Sequence, residues 1–205
     1  MEIMTAEQKK LMWQTAIMDF VPAFLMAFTG IYVRLYVCRH VNADDLAISL
    51  IVESALCTLT YQILSSEVVI RFTTKYCLLL SALASLLLVV QASVLKEHPA
   101  IAIIVGSINL AVFIKLCNNG FVDIVNQIFI RTARTIQKNR ANQMFSLGLL
   151  LSGSLAYMIN ELDIDIVVKL LYLSATCVLV TDTITYTLLK RYMKNHPIDT
   201  SDTND

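Results

Sequence analysis

The sequence predicts an all-α fold: a polytopic bundle of six transmembrane helices, with the N-terminus and C-terminus both cytoplasmic. Three observations carry that expectation. First, residues of the AVILMFWYC set make up 57% of the chain, charged residues only 16%, and mean hydropathy is +0.65. Soluble domains carry charge on roughly 25% of residues, so this chain has too little polar surface to coat a globule in water. Second, a crossing takes roughly 20 apolar residues, and 205 residues allow six with short connections. Third, five Gly and three Pro leave little punctuation for long loops.

The apolar segments fall at 13–36, 46–69, 76–95, 100–130, 143–160 and 164–189. Residues 1–12 read as a short cytoplasmic segment. Glu2 and Glu7 stand beside Lys9 and Lys10 there, and no small-x-small cleavage site follows, so the first apolar stretch is expected to stay as a membrane helix rather than leave as a signal. Trp13 opens it as an interfacial anchor. Between the first two helices, Asn42, Asp44 or Asp45 is available to cap the second. KEHPA divides the third from the fourth, and Pro99 suits a helix start. The fourth segment is the longest, enough to run past the bilayer surface. NELDID separates the fifth and sixth. The transmembrane domain thus spans 13–190, and 191–205 reads as a polar, disordered tail.

Lys and Arg set the orientation. With the N-terminus inside, the cytoplasmic segments hold eleven: Lys9, Lys10, Arg71, Lys75, Arg131, Arg134, Lys138, Arg140, Lys190, Arg191 and Lys194. The opposite side holds three, Arg34, Arg39 and Lys96, with Lys169 near that face. Such a bias fits an even number of crossings and argues against an inverted pair of copies. No internal repeat is visible.

Several function classes are disfavoured. Net charge is zero, which gives no basic excess for nucleic acid. The five cysteines, Cys38, Cys57, Cys77, Cys117 and Cys177, form no CxxC pair, so neither a zinc site nor a thiol-redox pair is indicated. No HExxH, GxSxG, phosphate-binding glycine loop or paired-Asp motif is present, and the expectation is a protein that is not an enzyme and uses no metal or cofactor. His40, His98 and His196 fall in loops or the tail and receive no role.

Five ionisable residues lie within the apolar segments: Asp19, Glu53, Lys115, Asp123 and Asp182. Each is worth roughly 2.5–3.5 kcal/mol against insertion at a helix centre, so they are expected to face the bundle interior, pair, or line a wet cavity. Lys115, Asn119, Asp123 and Asn126 follow i, i+4, i+8, i+11 and share one helix face. With Asp19, Glu53 and Asp182 they are the candidate substrate path or binding cavity. Interhelical hydrogen bonding is the plainer reading of the same stripe. Lys115 has Asp19 or Asp123 as partner, and the sequence does not choose. Glu67 and Arg71 make an i, i+4 pair. Arg131, Arg134 and Lys138 share a face of a polar stretch that reads as a topology determinant or as a surface helix drawn to anionic headgroups. Gly148, Ser152 and Ala156 form a small-xxx-small face for helix packing.

The order of these features resembles one six-helix half of the major facilitator superfamily. Ile70-Arg71-Phe72-Thr73-Thr74-Lys75 is similar to that family's D-R-x-G-R-R/K gating loop, with Arg71 and Lys75 matching and Ile70 and Thr73 in the Asp and Gly positions. Lys115-Leu116-Cys117-Asn118-Asn119-Gly120 is similar to its R-x-x-Q-G, with Lys for Arg and the Gly one place late. Arg140-Ala141-Asn142 followed by Gly148, Ser152, Gly153 and Ala156 is similar to its entry to helix five, without the Pro. The resemblance implies a transporter-type fold. It also implies a second half, supplied by a parallel copy or a partner membrane protein. The expected function is a small transporter-like protein of the inner membrane that moves a small solute or ion, as a homodimer or with a partner. The alternative is a bacteriocin-immunity or exclusion-type protein without transport.

Overall fold

A computed structural model of the chain describes residues 4–63, 67–109, 115–129, 131–159 and 161–196; the side chains at 53, 57, 60–63, 67–71, 115–119, 131 and 132 lie outside that description. Every element is helical, with no strand among the described residues. Seven helices follow in order: α1 (Ala6–His40), α2 (Ala43–Ile63), α3 (Glu67–Val94), α4 (Pro99–Ile108), α5 (Lys115–Ile128), α6 (Arg131–Met158) and α7 (Ile164–Asn195).

Local chemistry sets most of their ends. Thr5 caps α1 in a reciprocal box: its hydroxyl accepts from the Gln8 N–H at 3.1 Å, and the Gln8 side chain accepts from the Thr5 N–H at 3.1 Å. α1 stops where Val41 turns extended. Asn42 is the residue that caps α2, its Oδ1 accepting from the Asp45 N–H at 2.8 Å. Pro99 occupies the first turn of α4, and Asp163 caps α7 by accepting from the Asp165 N–H at 2.8 Å. Two long helices carry an irregularity inside, a missing donor in α1 and a break in α3. α1 contains Pro22, which lacks the N–H that the Met18 carbonyl would accept. α3 breaks helical geometry at Tyr76, where φ is −114° and ψ is 20°.

Three helices among the described residues are long and apolar enough to cross a bilayer: Ala6–His40, Phe72–Val94 within α3, and Ile164–Asn195. The protein is therefore a multi-pass helical membrane protein with three apolar spans. This corrects the expected bundle of six crossings. Of the apolar segment 100–130, the described residues form α4 of 10 residues and α5 of 14, about 15 and 21 Å long at 1.5 Å per residue against a hydrocarbon core of about 30 Å. α6 gives its first half to RTARTIQKNRANQ, and α2 carries Asp44, Asp45 and Glu53 within 21 residues. The facilitator-type resemblance falls with the bundle. The stretch read as a gating loop, Arg71 to Lys75, lies inside α3 and is helical, and the stretch beginning at Lys115 opens α5 instead of crossing mid-membrane.

The buried apolar residues form two separate clusters. One joins Phe28, Val33 and Val37 of α1 to Leu88 and Leu95 of α3, Ile103 of α4 and Leu171 of α7. The other joins Leu11 and Met12 of α1 to Cys77 of α3, Ile124 and Ile128 of α5, Ala133 of α6 and Leu189 of α7. Their membership shows that α1, α3 and α6 run in one direction and α7 in the other. Both ends of the described chain lie beside the second cluster, where His196 Nε2 stands 3.0 Å from Glu7 Oε2. Lys9, Lys10, Lys75, Arg134, Lys138, Arg140, Lys190, Arg191 and Lys194 flank the second cluster in sequence, giving that end a basic rim. The first cluster is rimmed by ion pairs instead, Arg39 with Glu161 at 2.8 Å and Lys96 with Asp165.

Candidate functional site

Between the two clusters the three spans bring polar and small side chains to one level. α1 contributes Thr15 and Asp19, α3 contributes Ser81 and Ser85, and α7 contributes Thr181, Asp182 and Thr185, with Ala16, Ala23 and Ala84 among them. Each helix thus offers a polar pair spaced four apart, which stacks on one face of a helix. Thr15, Ser81, Ser85, Thr181 and Thr185 are buried, and Asp19 and Asp182 are half-buried. The layer sits beside Pro22 of α1 and a turn beyond the α3 break at Tyr76.

Its hydroxyls divide into two kinds. Thr15 donates back to the Leu11 and Met12 carbonyls at 3.1 Å each, and Thr181 to Cys177 at 2.8 Å and Val178 at 3.1 Å. Such bonds are satisfied within one helix. Among the described residues the Ser81 and Ser85 hydroxyls have no hydrogen-bond partner, although Ser81 is 0% exposed and Ser85 7%. An unmet buried polar group is worth about 1–3 kcal/mol against folding, and a buried water or ion is the usual remedy. Asn109 Oδ1, at the end of α4, is in the same position. Nearer the first cluster, the Thr29 and Ser174 hydroxyls share a hydrogen bond of 3.2 Å between α1 and α7.

Electrostatics centre on two carboxyls. Asp19 and Asp182, from the first and last helices, stand close enough to repel each other. Among the described residues no three His, Cys, Asp or Glu side chains gather as a metal site. Outside the spans, the Asp165 carboxylate accepting from Lys96 holds that ammonium above its ordinary pKa of 10.5.

The remaining candidates from the sequence go elsewhere. Asp123 accepts from the Thr74 hydroxyl at 2.7 Å and from Gln127 Nε2 at 3.2 Å, so it joins α5 to α3. Asn126 is half-buried on the same helix. The side chains of Lys115, Asn119, Glu53 and Arg71 lie outside the described residues. Lys75 is exposed, its ammonium 5.2 Å from the Tyr76 ring centroid. Gly148, Ser152 and Ala156 are buried, and Gly148 meets α1. A Cβ on Gly148 would stand 3.1 Å from the Phe20 carbonyl oxygen and the Phe24 nitrogen. The Ala156 carbonyl accepts from the Tyr32 hydroxyl at 3.3 Å. Sequence reasoning missed Ser81, Ser85, Thr181 and Thr185. The signal available for them was hydroxyl spacing of four inside helices otherwise rich in Leu and Val.

Comparison with protein families, curated proteins and solved structures gives no match for this chain.

Proposed function

We propose that this membrane protein moves a small cationic or hydrogen-bonding solute across the inner membrane, as a homodimer or with a partner membrane protein, and performs no enzymatic chemistry. One observation carries the reading. A layer of hydroxyls and two carboxyls lies across the three spans between two apolar clusters, and two of its buried hydroxyls lack partners among the described residues. Packing alone does not favour that choice of residues. Small apolar side chains would fill the same space without the unfavourable terms of burying charge and unpaired hydroxyl. A monovalent cation or a small polar solute would give those hydroxyls a partner, with Asp19 and Asp182 as its charged contacts.

The test uses purified protein in vesicles with an imposed membrane potential, read with pH-sensitive and sodium-sensitive dyes inside. The wild type is expected to pass one of these ions faster than empty vesicles. Asp19→Asn and Asp182→Asn each remove a charged contact worth about 1.5–3 kcal/mol. Flux is then expected to fall by about tenfold to a hundredfold, with helical content unchanged by circular dichroism. Full flux in both Asn variants overturns the assignment of the site. No flux above empty vesicles in the wild type overturns ion transport and favours the exclusion-type alternative.

A further inference from the structure

α6 packs on α1 along a single face, on which Gln137, Gly148, Ser152 and Ala156 are buried. Its opposite face carries a shallow groove lined by Asn139, Asn142, Gln143, Ser146, Leu147 and Leu150, all exposed. The spacing i, i+3, i+4, i+7, i+8, i+11 keeps these six on one side of the helix. Along the groove the chemistry changes in order, from side-chain amides through a hydroxyl to leucines. It continues on the same face to Tyr157, 88% exposed.

Charge frames the amide end. By helical spacing, Lys138 lies on one flank of the groove and Arg140 on the other, and both are exposed. α6 contains no Asp or Glu to offset them. Arg140 donates to Gln143 Oε1 at 3.2 Å, and its guanidinium lies 5.3 Å from the ring centroid of Trp13 on α1. Lys9 and Lys10 stand one turn before Trp13. A tryptophan half exposed at the end of an apolar span marks headgroup depth. The amides and the two cations therefore lie at headgroup depth, and the leucines deeper, among acyl chains.

We propose that this groove binds one anionic phospholipid. The phosphate takes hydrogen bonds from the amides of Asn139 and Asn142, in the field of Lys138 on one flank and Arg140 on the other, while an acyl chain lies along Leu147 and Leu150. Charge complementarity selects this occupant over a second copy of the chain. Two parallel copies pairing through this face would set Lys138 and Arg140 of one against the same residues of the other, and like charges facing across an interface oppose association.

Trp13 is the single tryptophan, so it reports on the site directly. The protein is placed in phosphatidylcholine vesicles with a minor share of phosphatidylglycerol, and bromine is carried on the acyl chains of one lipid or the other to quench the indole. Brominated phosphatidylglycerol is expected to quench Trp13 well beyond its bulk share. Lys138→Gln, which leaves the Arg140–Trp13 contact in place, is expected to lower that preference about fivefold, as for one basic group near a surface. Arg140→Gln lowers it by a similar factor, read against its own baseline. Lys190→Gln combined with Lys194→Gln, on α7, leaves the preference unchanged. Three results overturn the site: quenching in proportion to bulk composition, an equal loss in the α7 control, or efficient disulfide trapping between copies through Ser146→Cys with quenching by neither lipid.

Discussion

Gly120→Ala tests the close approach of α5 to the α3 backbone. An added Cβ at Gly120 would stand 2.4 Å from the Thr73 carbonyl oxygen and 2.9 Å from Cys77 Cβ. The first obstacle is backbone, so it does not rotate away. Restoring ordinary contact near ~3.4 Å requires α5 to retreat from α3 by about 1 Å, and a gap of that size forfeits about a quarter to a half of each dispersion contact across it. Overpacking of this kind destabilises by about 1–3 kcal/mol. Alanine in place of glycine returns about 1 kcal/mol of helix propensity. The net expectation is a loss of up to about 2 kcal/mol. SDS titration in mixed micelles, followed by far-ultraviolet circular dichroism, reads it. The other glycines serve as an internal scale. Gly30 and Gly153 have nothing within 4 Å of an added Cβ, so alanine there is expected to stabilise by about 0.5–1 kcal/mol. Gly106 meets the Gln91 side chain at 2.3 Å, which turns aside, and its effect is expected between the extremes. Equal stability changes at Gly120 and Gly30 would refute the close approach of α5 to α3.

Tyr32→Phe removes a hydroxyl that donates to the Ala156 carbonyl at 3.3 Å and the Ile159 carbonyl at 3.1 Å, both at the end of α6 where carbonyls lack helical partners; a loss of about 1 kcal/mol is expected in the same titration. Lys96→Gln removes the ammonium paired with Asp165. Because the folded pKa of Lys96 is raised, its contribution is complete below the ordinary value of 10.5 and is lost as pH rises through the higher folded value. The stability difference between wild type and Lys96→Gln, measured by unfolding at stepped alkaline pH, is expected to close only above that value.

The sequence conveyed the helical, membrane-bound character because that is a matter of composition, and it conveyed helix ends where one residue decides them. Pro99 begins α4 for the stated reason, and Asn42 proves to be the cap among the three residues open for α2. The number of crossings was not legible. The hydropathy run at 100–130 is unbroken, whereas its described residues form the short helices α4 and α5. The likeness to a facilitator half rested on short motifs read without their backbone, and the helical path of α3 through Arg71 and Lys75 removes it. Asp19 and Asp182 were each identifiable as charges in apolar surroundings. Their proximity was not, since it joins the first helix to the last. Ser81 and Ser85 passed as ordinary helix residues, because only burial turns a serine hydroxyl into an unmet donor.

The separation of the two apolar clusters bears on permeability. A single continuous core would have to open along its whole length to let water through, and opening it would unfold the bundle. Here, among the described residues, the clusters share no side chain. Two apolar seals thus stand in series along the bundle, Phe28 and Leu171 in one and Leu11 and Leu189 in the other, with a layer of hydroxyls and carboxyls between them.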